Sequence, residues 1–119
     1  MDWSLDKNKP ISPQLCRAFA VEIASGRLEA GGKLPSVREV ALSAGVNPNT
    51  VQKAFEELER AGLIYAERSV GFFVSGDTSS ARKAVENLVD SRIGEFIEDM
   101  RKLGLGIDEV KQRVKEWNS

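Results

Sequence analysis

The chain contains no histidine and a single cysteine, Cys16. Without histidine the commonest general base and the usual nitrogen ligand of zinc are missing, and one cysteine cannot close an internal disulfide. With no imidazole to activate it, Cys16 reads as a small buried side chain rather than a nucleophile. The sequence also lacks an apolar run long enough to span a bilayer, and its start lacks a signal-peptide pattern, so a cytoplasmic protein with no membrane partner is expected. Charge of one sign is not in excess either: 17 Lys and Arg against 18 Asp and Glu leave −1 at pH 7. A nucleic-acid partner is therefore not announced by charge quantity and must be argued from where the cations stand. Paired carboxylates in a pocket-like context, a phosphate-binding glycine loop and a metal-ligand cluster are absent too, so neither an enzyme nor a metal or cofactor is expected. What is present, 41% hydrophobic and 29% charged residues over 119 positions, suits one soluble domain or a small domain with an appendage.

Along the chain the opening MDWSLD alternates Trp3 and Leu5 with polar residues, which predicts a short strand or an extended arm over residues 1–9. Ile11, Leu15, Ala18, Phe19 and Ile23 recur at helical spacing as far as Gly26, a natural stop. GRLEAGGKLP is a glycine-rich loop with Leu28 and Leu34 as anchors. Ser36-Val37-Arg38-Glu39 has the form of a capping box and predicts a short second helix that runs to Ala44, with Gly45 left-handed and Val46 closing back on Ala41. Asn47 is a good N-cap and Pro48 suits the first helical position, so a third helix begins there and carries Val51, Ala54, Phe55 and Leu58 on one stripe. It stops at Gly62, and LIYAERSVGFFV then reads as a β-hairpin in which alternation buries one of Phe72 and Phe73, with Phe73 preferred for the core. SGDTSS has linker composition, a long helix returns near Ala81, GLG ends it, and Asp108 is placed to cap a final short helix.

Two helices joined by a tight glycine-containing turn, the second with a polar leading edge, form a helix-turn-helix pattern. Opposite the apolar stripe of the third helix stand Asn49, Gln52, Lys53 and Glu56. A recognition helix enters the major groove N-terminus first, where amide and hydroxyl groups read base edges and cations meet phosphates; Asn49, Thr50, Gln52 and Lys53 carry those chemistries. Glu56, Glu57 and Glu59 lie further along and require the rear of the helix to point away from DNA. Arg38 opposes the helix dipole at the start of the second helix. It is either a contact to phosphate or guanine or a solvated arginine, and for Arg68 in the hairpin turn a phosphate or minor-groove contact competes with a solvated turn residue. Asn47 reads as a cap before it reads as a base contact.

GRLEAGGKLPSVREVALSAGVNPNTVQKAFEELERAGLI resembles the winged-helix domain of the GntR family of bacterial transcription regulators, and VNPNTVQKAF with a short tail resembles its YtrA subfamily. The likeness covers roughly residues 10–75. It implies a mainly α fold with a small β-hairpin wing: a winged helix-turn-helix DNA-binding domain over residues 1–76, followed by a two-helix dimerisation tail over residues 77–119. In the family the arginine of PSVRE, here Arg38, the leading residues Asn47, Asn49 and Thr50, and the wing contact DNA. The family wing reads Arg-Gly-x-Gly-Thr-Phe-Val, whereas Arg68 is followed here by Ser69, and Phe72 stands where threonine is usual. Arg68 and Ser69 nevertheless complete the expected contact set with Gln52 and Lys53.

Larger members of the resembling family carry an effector domain after the wing, and residues 77–119 are not expected to hold one. Val85, Leu88, Val89, Ile93, Phe96, Ile97, Met100 and Leu103 form one broad apolar face, and Val110, Val114 and Trp117 continue it on the last helix. These are the expected homodimer contacts, with folding back onto the winged helix as the alternative. A twofold dimer presents two recognition helices to half-sites about 34 Å apart and predicts double-stranded DNA with an inverted-repeat operator. The resemblance implies a repressor of its own operon and of a linked transporter operon, released by an unidentified small-molecule effector. Two other classes stay open: a winged helix used for protein–protein contact, and an architectural protein that binds DNA without sequence preference.

Overall fold

The Ser36 hydroxyl accepts from the Glu39 N–H at 3.1 Å while Glu39 Oε1 accepts from the Ser36 N–H at 3.1 Å. Amide donors that a helix start would leave unpaired are thereby satisfied reciprocally, and a helix begins at the next residue. The structure, a computed structural model, describes Met1 and residues 3–118. Asp2 of the expected arm and Ser119 of the expected tail lie outside the described residues. In chain order the elements are α1 (Ile11–Ala24), α2 (Val37–Ala44), α3 (Pro48–Arg60), β1 (Ile64–Glu67), β2 (Gly71–Val74), α4 (Ser79–Lys102) and α5 (Ile107–Glu116). They form two compact units, Met1–Val85 and Glu86–Ser119.

In the first unit α2 ends where Gly45 takes a left-handed conformation at φ 68° and the Val46 N–H returns to Ala41 O at 3.0 Å. Only one residue then separates Val46 from Pro48, because Asn47 caps α3 with its side-chain oxygen 2.7 Å from the Asn49 N–H. The same logic ends α3: Gly62 turns at φ 82° and the Leu63 N–H reaches Leu58 O at 2.9 Å. The apolar faces of α1, α2 and α3 meet in a core built on Leu15, Phe19, Ile23, Val40, Val51, Phe55 and Leu58, closed by Leu34, Ile64 and Val74. Trp3 lies edge-on to Phe19, Phe19 to Phe55 and Phe55 to Phe72, at centroid separations of 5.7, 5.4 and 5.0 Å. One aromatic series thus links the N-terminal arm, α1, α3 and the wing.

Among its described residues the arm forms no strand: the Leu5 N–H closes on Trp3 O at 2.9 Å and the Lys9 N–H on Asp6 O at 3.2 Å, while Trp3 Nε1 donates to Ser43 Oγ at 2.8 Å. The wing pairs Ile64 with Val74, Tyr65 with Phe73, Ala66 with Phe72 and Glu67 with Gly71. Its outer edge is not free. Leu34 N–H donates to Phe72 O, Val74 N–H to Gly32 O and Gly31 N–H to Val74 O, all within 2.9 Å, and Lys33 pairs opposite Phe73. The segment expected to be only a loop therefore supplies a third strand-like edge to the hairpin. On the opposite edge the Ala66 N–H is taken by Glu59 Oε2 at 3.2 Å.

Two expectations are corrected. Phe72, not Phe73, joins the core: Val74 is fully buried, and the period of two puts Phe72 on the same face while Phe73 stacks on Tyr65 at 5.7 Å on the other. Asp108 does not cap α5; Gly106 is the cap residue with no side-chain bond, and Asp108 lies in the first turn, where its charge suits the helix dipole. The linker is also shorter than its composition suggests. Asp77 Oδ1 accepts from the Ser79 N–H at 2.9 Å, α4 starts there, and Ala81 in its first turns is fully buried in the winged-helix core.

The α2 cap sets a testable stability. Ser36→Ala is expected to destabilise the first unit by about 1 kcal/mol, measured by urea unfolding. The Ser36 backbone N–H, and after it the Ser36 hydroxyl, hold the Glu39 carboxyl below its ordinary value of 4.5. A pKa depressed by folding contributes stability that is complete above the ordinary value and is lost as the pH falls through the folded one. Glu39→Gln is accordingly expected to flatten the acid limb of the stability profile below pH 4.5, and an unchanged limb would leave the capping carboxylate without a thermodynamic role.

Candidate nucleic-acid interface

The two helix starts that the capping residues create are where the polar side chains gather. Asn47, Asn49, Gln52 and Lys53 are exposed on the leading turns of α3, Thr50 is half-buried, and Arg38 is exposed in the first turn of α2. Val51, Ala54 and Phe55 between them are fully buried. Burial of this stripe fixes the rotation of α3, so the amide and cationic side chains point outward by exclusion. Asn47 Oδ1 is committed to its cap, and Gln52 Nε2 donates to Glu56 Oε1 at 3.3 Å. Asn49 and Lys53 make no side-chain hydrogen bond among the described residues. Their donors face solvent.

Charge along α3 is sorted. The three glutamates that follow the leading turn each have a partner within the chain: Glu56 accepts from Gln52, Glu57 pairs with Arg60, and Glu59 accepts from Ala66 N–H in β1. Among the described residues the ion pairs are Arg27–Glu22, Arg60–Glu57, Arg101–Glu98 and Arg113–Glu109. Arg38, Lys53 and Arg68 belong to none of them. A polyanion approaching this edge meets cations that need not first be released from carboxylates.

The wing turn holds Arg68, Ser69 and Val70, all exposed. Ser69 adopts φ 65°, the left-handed conformation that glycine holds without cost, so the backbone shape of a glycine turn is kept by a residue that is strained by about 1–2 kcal/mol there. Lys7 Nζ donates to Gly45 O at 3.3 Å and ties the arm to the helix-turn-helix corner. Sequence periodicity carried no signal for this contact, because it joins residues 38 positions apart. Cys16 is set away from the polar edge: its thiol donates to Ala54 O at 3.3 Å, and burial, followed by the charge of Glu57, pushes its pKa up. A protonated, half-buried thiol is a packing group.

The model of the bacterial regulatory proteins of the gntR family matches residues 14–74. This chain belongs to the GntR family. The HTH-type transcriptional repressor YtrA of Bacillus subtilis is 32% identical to it over 108 residues, spanning 90% of this chain and 83% of that protein. A GntR family transcriptional regulator from Listeria monocytogenes superimposes with a TM-score of 0.80 at 35% identity, covering 96% of this chain and all of that one. The DNA-binding domain of AraR, solved in complex with operator ORE1, superimposes with a TM-score of 0.55 at 26% identity over 63% of this chain and 94% of that chain. The protein is a YtrA-type GntR transcriptional regulator with a winged-helix DNA-binding domain, and not an enzyme. No helix among the described residues is long and apolar enough to cross a membrane.

In the second unit this GntR-family chain leaves much of its apolar face uncovered. Ile93, Phe96, Leu103, Val114 and Trp117 are exposed, Trp117 by 72%. Val89 is exposed as well, Leu88, Ile97 and Met100 are half-buried, and Val85 is half-buried at the end of the first unit. Val110 differs: it is 4% exposed within the single chain, so α4 and α5 already cover it. Phe96, Met100, Leu105, Val110, Val114 and Trp117 surround an open apolar hollow of about 320 Å³ with Arg113 at its rim.

Proposed function

We propose that this regulator is a cytoplasmic homodimeric repressor that recognises an inverted-repeat operator in double-stranded DNA and is released by a small-molecule effector. Residues 1–76 form the DNA-binding domain and 77–119 the dimerisation tail. The observation that carries the reading is the leading edge of α3, where Asn49, Gln52 and Lys53 are exposed on a helix whose opposite stripe is fully buried, with Arg38 exposed in the first turn of α2. Asn47 and Thr50 flank them, and Arg68 and Ser69 of the wing supply contacts to the adjoining backbone. Amides on a rigid helix start suit base edges in the major groove, and the unpaired cations suit phosphates. The complex of the AraR DNA-binding domain with operator ORE1 supports operator DNA as the partner. Repression is supported by the relative named a transcriptional repressor, YtrA of Bacillus subtilis. Its own operon and a linked transporter operon are the targets we assign.

The deciding experiment is a fluorescence-anisotropy titration at physiological salt, with the duplex immediately upstream of the protein's own gene set against a scrambled duplex. Preferential binding of the upstream duplex supports a sequence-reading regulator. Equal binding of both would turn the reading to an architectural role, and binding of neither to a protein-contact module. Derepression of the neighbouring operon on deletion of the gene is the expected result in cells, and a fall in its transcription would overturn the repressor assignment.

Dimerisation rests on the uncovered face of the second unit. Ile93 is 54% exposed on α4 and Phe96 is 42% exposed one turn further on, and clustered exposed apolar side chains of this kind mark interaction surfaces. Ile93→Asp places a carboxylate in that face and is expected to shift the protein from dimer to monomer in analytical ultracentrifugation. It is also expected to weaken operator binding by 100-fold or more, on the order of the gain that two linked sites confer. A dimer that survived Ile93→Asp and Phe96→Asp together would remove this face from the interface.

A further inference from the structure

Lys33 stands outside the contact set that the helix-turn-helix pattern identifies, yet the fold carries it to the side of the wing, within reach of the α2 start. Its backbone pairs opposite Phe73 of β2, fixed on either side by the Leu34 N–H to Phe72 O and Val74 N–H to Gly32 O bonds at 2.9 and 2.8 Å. The side chain is exposed and runs along the wing toward its turn, its Cε lying 3.2 Å from where a Cβ on Gly71 would stand. Gly71 holds φ 141°, and a side chain there would crowd the end of the Lys33 stem. At the other end Leu34 leads through Pro35 into Ser36, the cap of α2, so Lys33 stands between the α2 start with Arg38 and the wing turn with Arg68. The Lys33 charge also contributes, behind both Ser36 hydrogen bonds, to holding the Glu39 carboxyl down. Among the described residues Lys33 belongs to no ion pair.

We propose that Lys33 is a phosphate-contacting residue of the DNA interface, bridging the backbone positions held by the α2 start and by the wing. The assignment rests on the DNA-binding reading of the α3 leading edge. Strand pairing anchors the Lys33 backbone, so the backbone loses no further conformational freedom when the side chain meets a phosphate. The lysine also supplies positive charge where the wing turn carries Ser69 and Val70 in place of further cations, on a chain whose net charge is −1. The contact is to backbone and reads no sequence.

The test is the salt dependence of binding, measured by anisotropy on a scrambled duplex from 50 to 300 mM KCl for wild type, Lys33→Gln, Lys33→Arg and Arg38→Ala, with melting temperatures recorded in parallel. The expected result for Lys33→Gln is a slope of log K against log salt reduced by about 0.9 for each contact removed, and about fivefold weaker binding per contact at 0.15 M salt. Lys33→Arg is expected to keep the wild-type slope, which a purely structural role for the lysine stem would not require. Wild-type binding with an unchanged slope in Lys33→Gln and a reduced one in Arg38→Ala overturns the Lys33 assignment alone. Absence of binding by wild type overturns it together with the DNA-binding reading. A shared loss of slope and of melting temperature in Lys33→Gln and Lys33→Arg would count against a phosphate contact, because the arginine keeps the charge.

Discussion

Phe55→Ala is expected to destabilise the first unit by about 3–5 kcal/mol, which for a unit of this size lowers the melting temperature by roughly 15–30 °C. The ring is fully buried and lies edge-on to both Phe19 and Phe72, at 5.4 and 5.0 Å with interplanar angles of 82° and 74°. Its loss opens a cavity where α1, α3 and the wing meet, and removes two aromatic contacts worth about 0.5–1.5 kcal/mol each beyond area burial. A loss of this size approaches the whole stability of many small domains. The control is Phe73→Ala. Phe73 stacks on Tyr65 on the outer face of the hairpin and touches neither Phe19 nor Phe55 among the aromatic pairs. It is expected to cost about 1 kcal/mol, as the loss of a cross-strand aromatic pair does. Calorimetry that ranked Phe73→Ala as the more damaging change would restore Phe73 to the core and reverse the phase of β2.

Asn49→Ala is expected to lower the preference for operator over scrambled DNA by about 5- to 150-fold, the value of 1–3 kcal/mol for one side chain reading a base edge. The position is exposed in the first turn of α3, and its backbone N–H, not its side chain, is what Asn47 holds. Alanine therefore leaves the cap intact, and the melting temperature is expected to stay within about 2 °C of wild type, since surface changes away from caps shift stability little. Lys53→Ala should behave differently: both duplexes lose affinity together, and the salt slope falls by about 0.9 per contact. The pair separates reading from holding. Equal loss on both duplexes for Asn49→Ala would make it a backbone contact and leave specificity to Arg38, Gln52 or the shape of the DNA.

Local rules placed most elements, because the devices that start and stop them are short. Ser36 with Glu39, Gly45 with Val46, Asn47 with Pro48, and Gly62 with Leu63 each act within a few residues, so both helices of the helix-turn-helix and their polar leading edge are legible in the chain as written. The stripe of Val51, Ala54, Phe55 and Leu58 then settles which side of α3 faces out. Legibility failed at Phe72 and Phe73. Two phenylalanines in sequence satisfy alternation in either phase, and the choice is made by the bonds that the Leu34 N–H donates to Phe72 O and that Gly32 O accepts from the Val74 N–H, about 40 residues away along the chain. At Asp108 the error was of another kind: a good capping residue was passed over because Gly106 supplies a cap without a side chain and the helix begins one residue before the aspartate.

What the sequence determined by itself is the set of helices, the turn between α2 and α3, and the chemical character of the α3 edge, since each follows from interactions between residues close in the chain. The tertiary structure alone decided which phenylalanine enters the core, that Lys33 joins the wing, that Lys7 reaches the Gly45 turn and that Glu59 occupies the outer amide of β1. Those contacts join residues far apart in sequence or on separate elements. Their partners are chosen by the packing of α1, α3 and the hairpin around Phe19, Phe55 and Val74, which no local pattern encodes.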